Sequence, residues 1–307
     1  MSQMEKDLRE KVRKALAKRR IDVFIGYGRR PIDGRIIPVF IDSERKVDQL
    51  LWNPLCVIGL ARYALKTKGK IGLLVRGCDS RAINVFLQES QLDRDSLYLV
   101  GVRCQGVIDH KRISAPVAES AWEEAGIDLD GKKFKREELL AGQCLECRYP
   151  EAIGTDEILG KRRTGVPRDV AYANVAGIES MNLEKKSAFW DEHLSRCIRC
   201  DACRNSCPVC YCEDCVLDES VPAWVPRRTD LTDNRLYHTI RFMHVAGRCV
   251  DCGECERACP MGIPLRLIAK KLEKDAQDMF SFEVGTDPDG IPMFSQYSDE
   301  DKAEFIR

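Results

Sequence analysis

The chain has no net charge, no long apolar run and no adjacent pair of cysteines. Lys+Arg and Asp+Glu cancel at 49 each, so no global field draws it to nucleic acid or to an anionic membrane. Apolar runs such as IGLLV and LYLVGV fall far short of the roughly 20 residues that cross a bilayer. The first residues, MSQMEKDLREKVRKALAKRR, are charged throughout and lack the apolar centre of a signal peptide. Leu8, Val12 and Leu16 recur there at helical spacing and predict an amphipathic surface helix. IGYGRRPIDG follows a strand-like run but puts Pro31 near the place of a third glycine, so it does not make a dinucleotide loop. Nickel and molybdopterin signatures are also missing. These absences predict a cytoplasmic protein without membrane insertion or nucleic-acid partner, and with no evident place to make or break a substrate bond.

Thiols, by contrast, are abundant. Sixteen cysteines occur in 307 residues, and eleven of them lie between Cys197 and Cys259. In a reducing compartment such clusters are metal ligands or catalytic groups rather than disulfides. The stretch CIRCDACRNSCPVCYCEDC packs seven cysteines into nineteen residues, and CVDCGECERACP repeats its spacing. Each repeat reads C-x-x-C-x-x-C-x-x-x-C-P: Cys197, Cys200, Cys203 and Cys207, then Cys249, Cys252, Cys255 and Cys259. Three thiolates at this spacing wrap a short loop around one cuboidal cluster, and in two-cluster ferredoxins the fourth ligates the other cluster. Carried onto this chain, that pattern implies one 4Fe–4S cluster on Cys197, Cys200, Cys203 and Cys259, and a second on Cys249, Cys252, Cys255 and Cys207. Crossed ligation would make the two repeats one folding unit. Zinc sites draw on separated C-x-x-C knuckles instead. The C-x-x-x-C-x-x-C formed by Cys203, Cys207 and Cys210 matches the spacing of radical enzymes that use S-adenosylmethionine, but leaves too little following chain for their barrel.

Residues 1–150 read as an α/β domain with a parallel sheet. IDVFIGYG, PVFID, KIGLLV and SLYLVGV are strand-like, and WNPLCVIGLARYALKTK and RAINVFLQESQ are helix-like. Residues 151–190 read as a connector. Residues 191–275 read as an α+β two-cluster (8Fe) ferredoxin-like domain with a helical insertion, NRLYHTIRFMH, in which Leu236, Ile240 and Met243 mark a face. Residues 276–307 form an unpatterned tail or a partner-binding arm.

The remaining cysteines pose two further questions. Cys78 and Cys104 each follow a predicted strand, at the carboxyl edge where α/β proteins bind ligands, and Cys144 and Cys147 add a C-x-x-C. Together they are the expected ligands of a third 4Fe–4S cluster; the competing reading makes them core thiols and a redox pair. Cys210, Cys212 and Cys215 form a candidate fourth set with a ligand from elsewhere, Cys144 and Cys147 being available for exchange. Cys56 reads as a core thiol within an apolar helix. Arg103 and Arg199 stand beside cysteines as candidate counter-charges, and His238 and His244 read as helix-surface or packing residues.

CPVCYC, RLYHTIRFMH and CVDCGECERACPMGI resemble the iron–sulfur subunits of the sulfhydrogenase beta and anaerobic sulfite reductase type. Cys215 falls outside the sulfite reductase pattern. VRGCDSRAI and LVGVRCQG are similar to the beta subunits of deazaflavin-reducing hydrogenases and formate dehydrogenases. The resemblance implies an iron–sulfur electron-transfer subunit of an anaerobic oxidoreductase. It also implies partners such as a hydrogenase, formate dehydrogenase, heterodisulfide reductase-like protein or flavoprotein, and a FAD site on the α/β domain. Two rivals stand beside it: a flavin-containing oxidoreductase subunit reducing a soluble acceptor itself, and a structural zinc protein.

Overall fold

The computed structural model describes residues 2–109, 111, 122–123, 126–129 and 132–295. By their contacts these divide into two compact units: residues 1–77 with 95–171, and residues 78–94 with 172–307. The first unit thus reaches beyond the expected boundary at 150. The second takes a segment from the middle of the expected α/β domain.

The first unit is built on a five-stranded sheet. Strands β1 (Val23–Arg29), β2 (Ile36–Ile41), β3 (Ile71–Val75), β4 (Leu97–Val102) and, after a separate three-stranded sheet of β5 (Trp122–Glu123), β6 (Gly126–Leu129) and β7 (Lys132–Phe134), β8 (Glu157–Leu159) give the order β2-β1-β3-β4-β8. β1–β3, β3–β4 and β4–β8 pair in parallel, with Ile25 opposite Leu73 and Leu73 opposite Leu99. β2 is an antiparallel edge, so the sheet is mostly rather than wholly parallel. β3 and β4 are buried along their whole length, as continuous Ile, Leu and Val runs require of central parallel strands. β8 arises inside the expected connector.

The glycines of IGYG sit in β1 because Cβ atoms there would come within 2.6 Å of Leu50 and 2.7 Å of Val39, so they serve packing in the β1–β2 hairpin. Helix α1 (Gln3–Ala17) starts at a capping box between Ser2 and Glu5 and buries Leu8 and Val12. The expected helix over 52–68 reduces to one turn, Ala61–Ala64. Pro54 and Gly59 interrupt it, and Cys56 sits in a loop stapled by Arg76, which donates to the Cys56 and Val57 carbonyls at 3.2 Å each.

The second unit is helical. Helix α2 (Gly77–Gln88) enters it at Cys78, and α3 (Ala173–Glu179), α4 (Leu183–Leu194), α5 (Leu231–Met243) and α6 (Leu265–Phe280) surround the two cysteine motifs. Part of the expected tail is ordered. α6 runs to Phe280, and the chain beyond packs on α2, where Arg81 donates to Val284 O at 2.8 Å and Asn84 to Gly285 O at 2.9 Å. The last part of the expected tail, 296–307, lies outside the described residues. No helix among the described residues is long and apolar enough to cross a membrane.

Candidate metal centres

The two cysteine motifs share one backbone. In the first, Arg199 and Asp201 have φ of 54° and 55°; in the second, the equivalent Asp251 and Gly253 have φ of 52° and 73°. Left-handed residues at both positions fold each C-x-x-C-x-x-C into a tight cup, at some conformational cost where the residue is not glycine. A short helix, Ala202–Asn205 or Glu254–Ala258, holds the third cysteine of each motif and carries the fourth away.

That displacement crosses the two sets. One small cavity is lined by Cys197, Cys200, Cys203 and Cys259 together. Burial raises the Cys203 thiol, and Cys197 and Cys259 raise it further. On the other side, Cys207 acts on each of Cys249, Cys252 and Cys255, all three raised first by burial and Cys255 to about 12. Thiols held this far above the ordinary value stay protonated on their own; metal coordination is what removes their protons. Among the described residues, no three Cys, His, Asp or Glu side chains converge as they would on a single ion.

Helix α5, the insertion between the motifs, braces the first cup with a stripe of polar residues. Asn234 Nδ2 donates to Leu194 O and Cys197 O at 3.0 Å each and to Thr229 O at 3.2 Å. Tyr237 donates to Asp201 at 2.7 Å, and the Arg199 guanidinium lies 4.1 Å from the Tyr237 ring centroid. His238 Nε2 is 3.3 Å from Cys197 Sγ; burial, with Arg241 and Arg199 nearby, lowers its pKa to about 3, so it is neutral. Arg241 donates to Cys203 O at 2.8 Å. The face expected from Leu236, Ile240 and Met243 is the outer one: Leu236 and Met243 are exposed. His238 is a packing histidine beside a cysteine, and His244 is on the surface.

The second cup rests on buried ions instead. Asp251 accepts from Arg266 at 2.9 and 3.1 Å and from Lys270. Burial alone would raise the Asp251 carboxyl, but these two cations hold it below the ordinary carboxylate value. Glu273 pairs with Arg81 at 3.1 Å, and Arg81 also donates to Val250 O at 3.2 Å. All of these charged side chains are nearly inaccessible to solvent.

In the first unit, Cys104, Cys144 and Cys147 gather just past the carboxyl end of β4. Cys104 N donates to Pro150 O at 2.9 Å, and Ala141 N to Val107 O at 2.9 Å, fastening the C-x-x-C segment to the sheet. Gly77 is required at the end of β3, because a Cβ there would lie 1.8 Å from Tyr149 O. Gly106 N and Val107 N donate to the sulfurs of Cys104 and Cys144 at 3.4 and 3.3 Å. Burial, then Cys104 and Cys147, push the Cys144 thiol up to about 12. Cys78 belongs to the second unit, where it is among the groups acting on Cys252. Arg103 turns to Glu151, 3.5 Å away. Of the remaining set, Cys210 hydrogen-bonds Cys207 and thereby lowers the Cys207 thiol to about 6, while Cys212 is exposed.

Comparison with known proteins adds two findings. Residues 196–264 match the 4Fe-4S dicluster domain family, a span that contains both motifs and α5. The chain is 23% identical to the F420-dependent formate dehydrogenase subunit beta of Methanocaldococcus jannaschii, over 84% of this chain and 86% of that protein. It is also 23% identical to the F420-dependent formate dehydrogenase 1 subunit beta of Methanococcus maripaludis, over 83% and 84% of the two. The chain is an iron–sulfur electron-transfer protein that resembles these formate dehydrogenase beta subunits.

Proposed function

We infer that the chain is the electron-relay subunit of a multisubunit anaerobic oxidoreductase, passing electrons between a flavin- or deazaflavin-handling partner and a catalytic subunit. The observation that carries this reading is the crossing of the fourth cysteines, Cys259 with the first triplet and Cys207 with the second. In this reading Cys197, Cys200, Cys203 and Cys259 hold one 4Fe–4S cluster, and Cys249, Cys252, Cys255 and Cys207 the other. A cluster so held accepts and releases one electron at a time. The chain's own residues bury Cys203, Cys207 and Cys259, and fix the Cys197 side chain by the contact with neutral His238. Cys104, Cys144 and Cys147 are proposed for a third cluster, for which the sequence offers Cys78 as fourth ligand. Cys210, Cys212 and Cys215 remain a candidate fourth set, with less support because Cys210 leans on Cys207.

The test is iron, acid-labile sulfide and flavin on one anaerobically purified sample. About eight irons are expected from the paired motifs alone, and about twelve with the third set. Flavin on the same sample would favour a chain that exchanges electrons with the soluble acceptor itself. Zinc in place of iron would overturn the reading.

A further inference from the structure

Arg241 is 2% exposed. One of its guanidinium nitrogens is spent on Cys203 O, while Nε and Nη1 are buried with no hydrogen-bond partner among the described residues. No carboxylate of the described residues pairs with it. The other buried cations described in the second unit are matched: Arg81 by Glu273, Arg266 and Lys270 by Asp251. A buried cation with no counter-charge is strongly disfavoured. Its guanidinium packs 4.5 Å from the Phe242 ring centroid, and the charged groups that act on it are cysteines. Burial works against its charge, and the thiolate forms of Cys255, Cys203, Cys207 and Cys210 favour it. Cys203 belongs to the first proposed ligand set, Cys255 and Cys207 to the second, so the cation lies among groups of both.

We propose that Arg241 is a counter-cation shared by the two metal centres, raising the reduction potential of both and so tying their electron affinities together. This rests on the paired-cluster reading above. Each cluster gains a negative charge when it accepts an electron, and a fixed cation in a dry site stabilises the reduced form more than the oxidised one. Because the same guanidinium serves both, its removal must move both potentials in one direction. A residue that merely braced the first cup through Cys203 O would affect the first alone.

The experiment is an EPR-monitored redox titration of the anaerobically purified full chain, comparing wild type with R241Q and R241K. R241Q is expected to lower both potentials, reducing the reduced-to-oxidised ratio of each centre at a fixed potential by at least about tenfold, or about 59 mV for one electron. R241K, which keeps the charge, is expected to leave both within about threefold of wild type. Movement of only one centre in R241Q, or of neither, overturns the proposal. Should R241Q fail to load iron, the neutral R241M takes its place with the same expectation and the same overturning results, and a tenfold fall of both potentials in R241K contradicts the shared charge. Absence of iron from the wild type would instead sink the paired-cluster reading itself.

Discussion

The two cysteine cups share spacing, left-handed residues and a trailing short helix, yet they are supported by opposite chemistry. The first is braced by neutral groups and one unmatched cation on α5: Asn234, Tyr237, His238 and Arg241. The second stands on a closed network of matched ions, Asp251 with Arg266 and Lys270, and Glu273 with Arg81. The backbone of the motif is therefore set by cysteine spacing, whereas the electrostatic environment is set by whichever helix supplies the second layer. An unmatched buried cation suits a site meant to receive negative charge. Paired ions add rigidity to the second cup.

The comparison yields predictions of decreasing size. The largest concerns what the cups share. Replacing either crossing cysteine, as in C259S or C207S, is expected to remove both clusters of the paired motifs, a loss of about eight irons per chain. A loss of only about four irons would mean that the two motifs do not load as one unit. Next, D251N removes the carboxylate that Arg266 and Lys270 share and should cost about 3–5 kcal/mol, read as a lowered melting temperature of the anaerobic holoprotein. An unchanged melt would show that the ion network does not support the second cup. N234A strips the first cup of a side chain that reaches three carbonyls, and about 1–3 kcal/mol is expected for the acceptors left unsatisfied. Faster iron loss to a chelator, from the first centre before the second, is the accompanying sign; equal loss from both would contradict it. The smallest effect is expected for H238F, which loses the contact with Cys197 Sγ. It should lower the potential of the first centre and leave the second in place, and a shift of both by equal amounts would contradict that local role.

The paired motifs were legible in the sequence because C-x-x-C-x-x-C-x-x-x-C-P stands out by its spacing, and the structure brings Cys197, Cys200, Cys203 and Cys259 to one cavity. The central strands were legible for a similar reason, since IGLLV and LYLVGV admit little but a buried strand. The sequence misleads where tertiary contacts override local pattern. WNPLCVIGLARYALKTK has helical composition, but Pro54, Gly59 and the Arg76 staple make it a loop. The apolar stripe of α5 marks a Leu236–Met243 face without saying which way it points, and Asn234, His238 and Arg241 turn in because the first cup offers them carbonyls and sulfur. Arg241 cannot be singled out by sequence among so many basic residues; only its burial and its orphaned nitrogens distinguish it. The segment after Phe280 has no periodicity, yet Arg81 and Asn84 hold it through backbone carbonyls that no side-chain pattern records.

The most direct test of the account is a stepwise anaerobic reduction of the wild-type chain followed by EPR, with iron and sulfide measured on the same sample. Two reduced 4Fe–4S signals that broaden each other as both fill, on a protein with at least about eight irons, are the predicted result. A single isolated signal, or a protein that holds zinc and gives no signal, would contradict it.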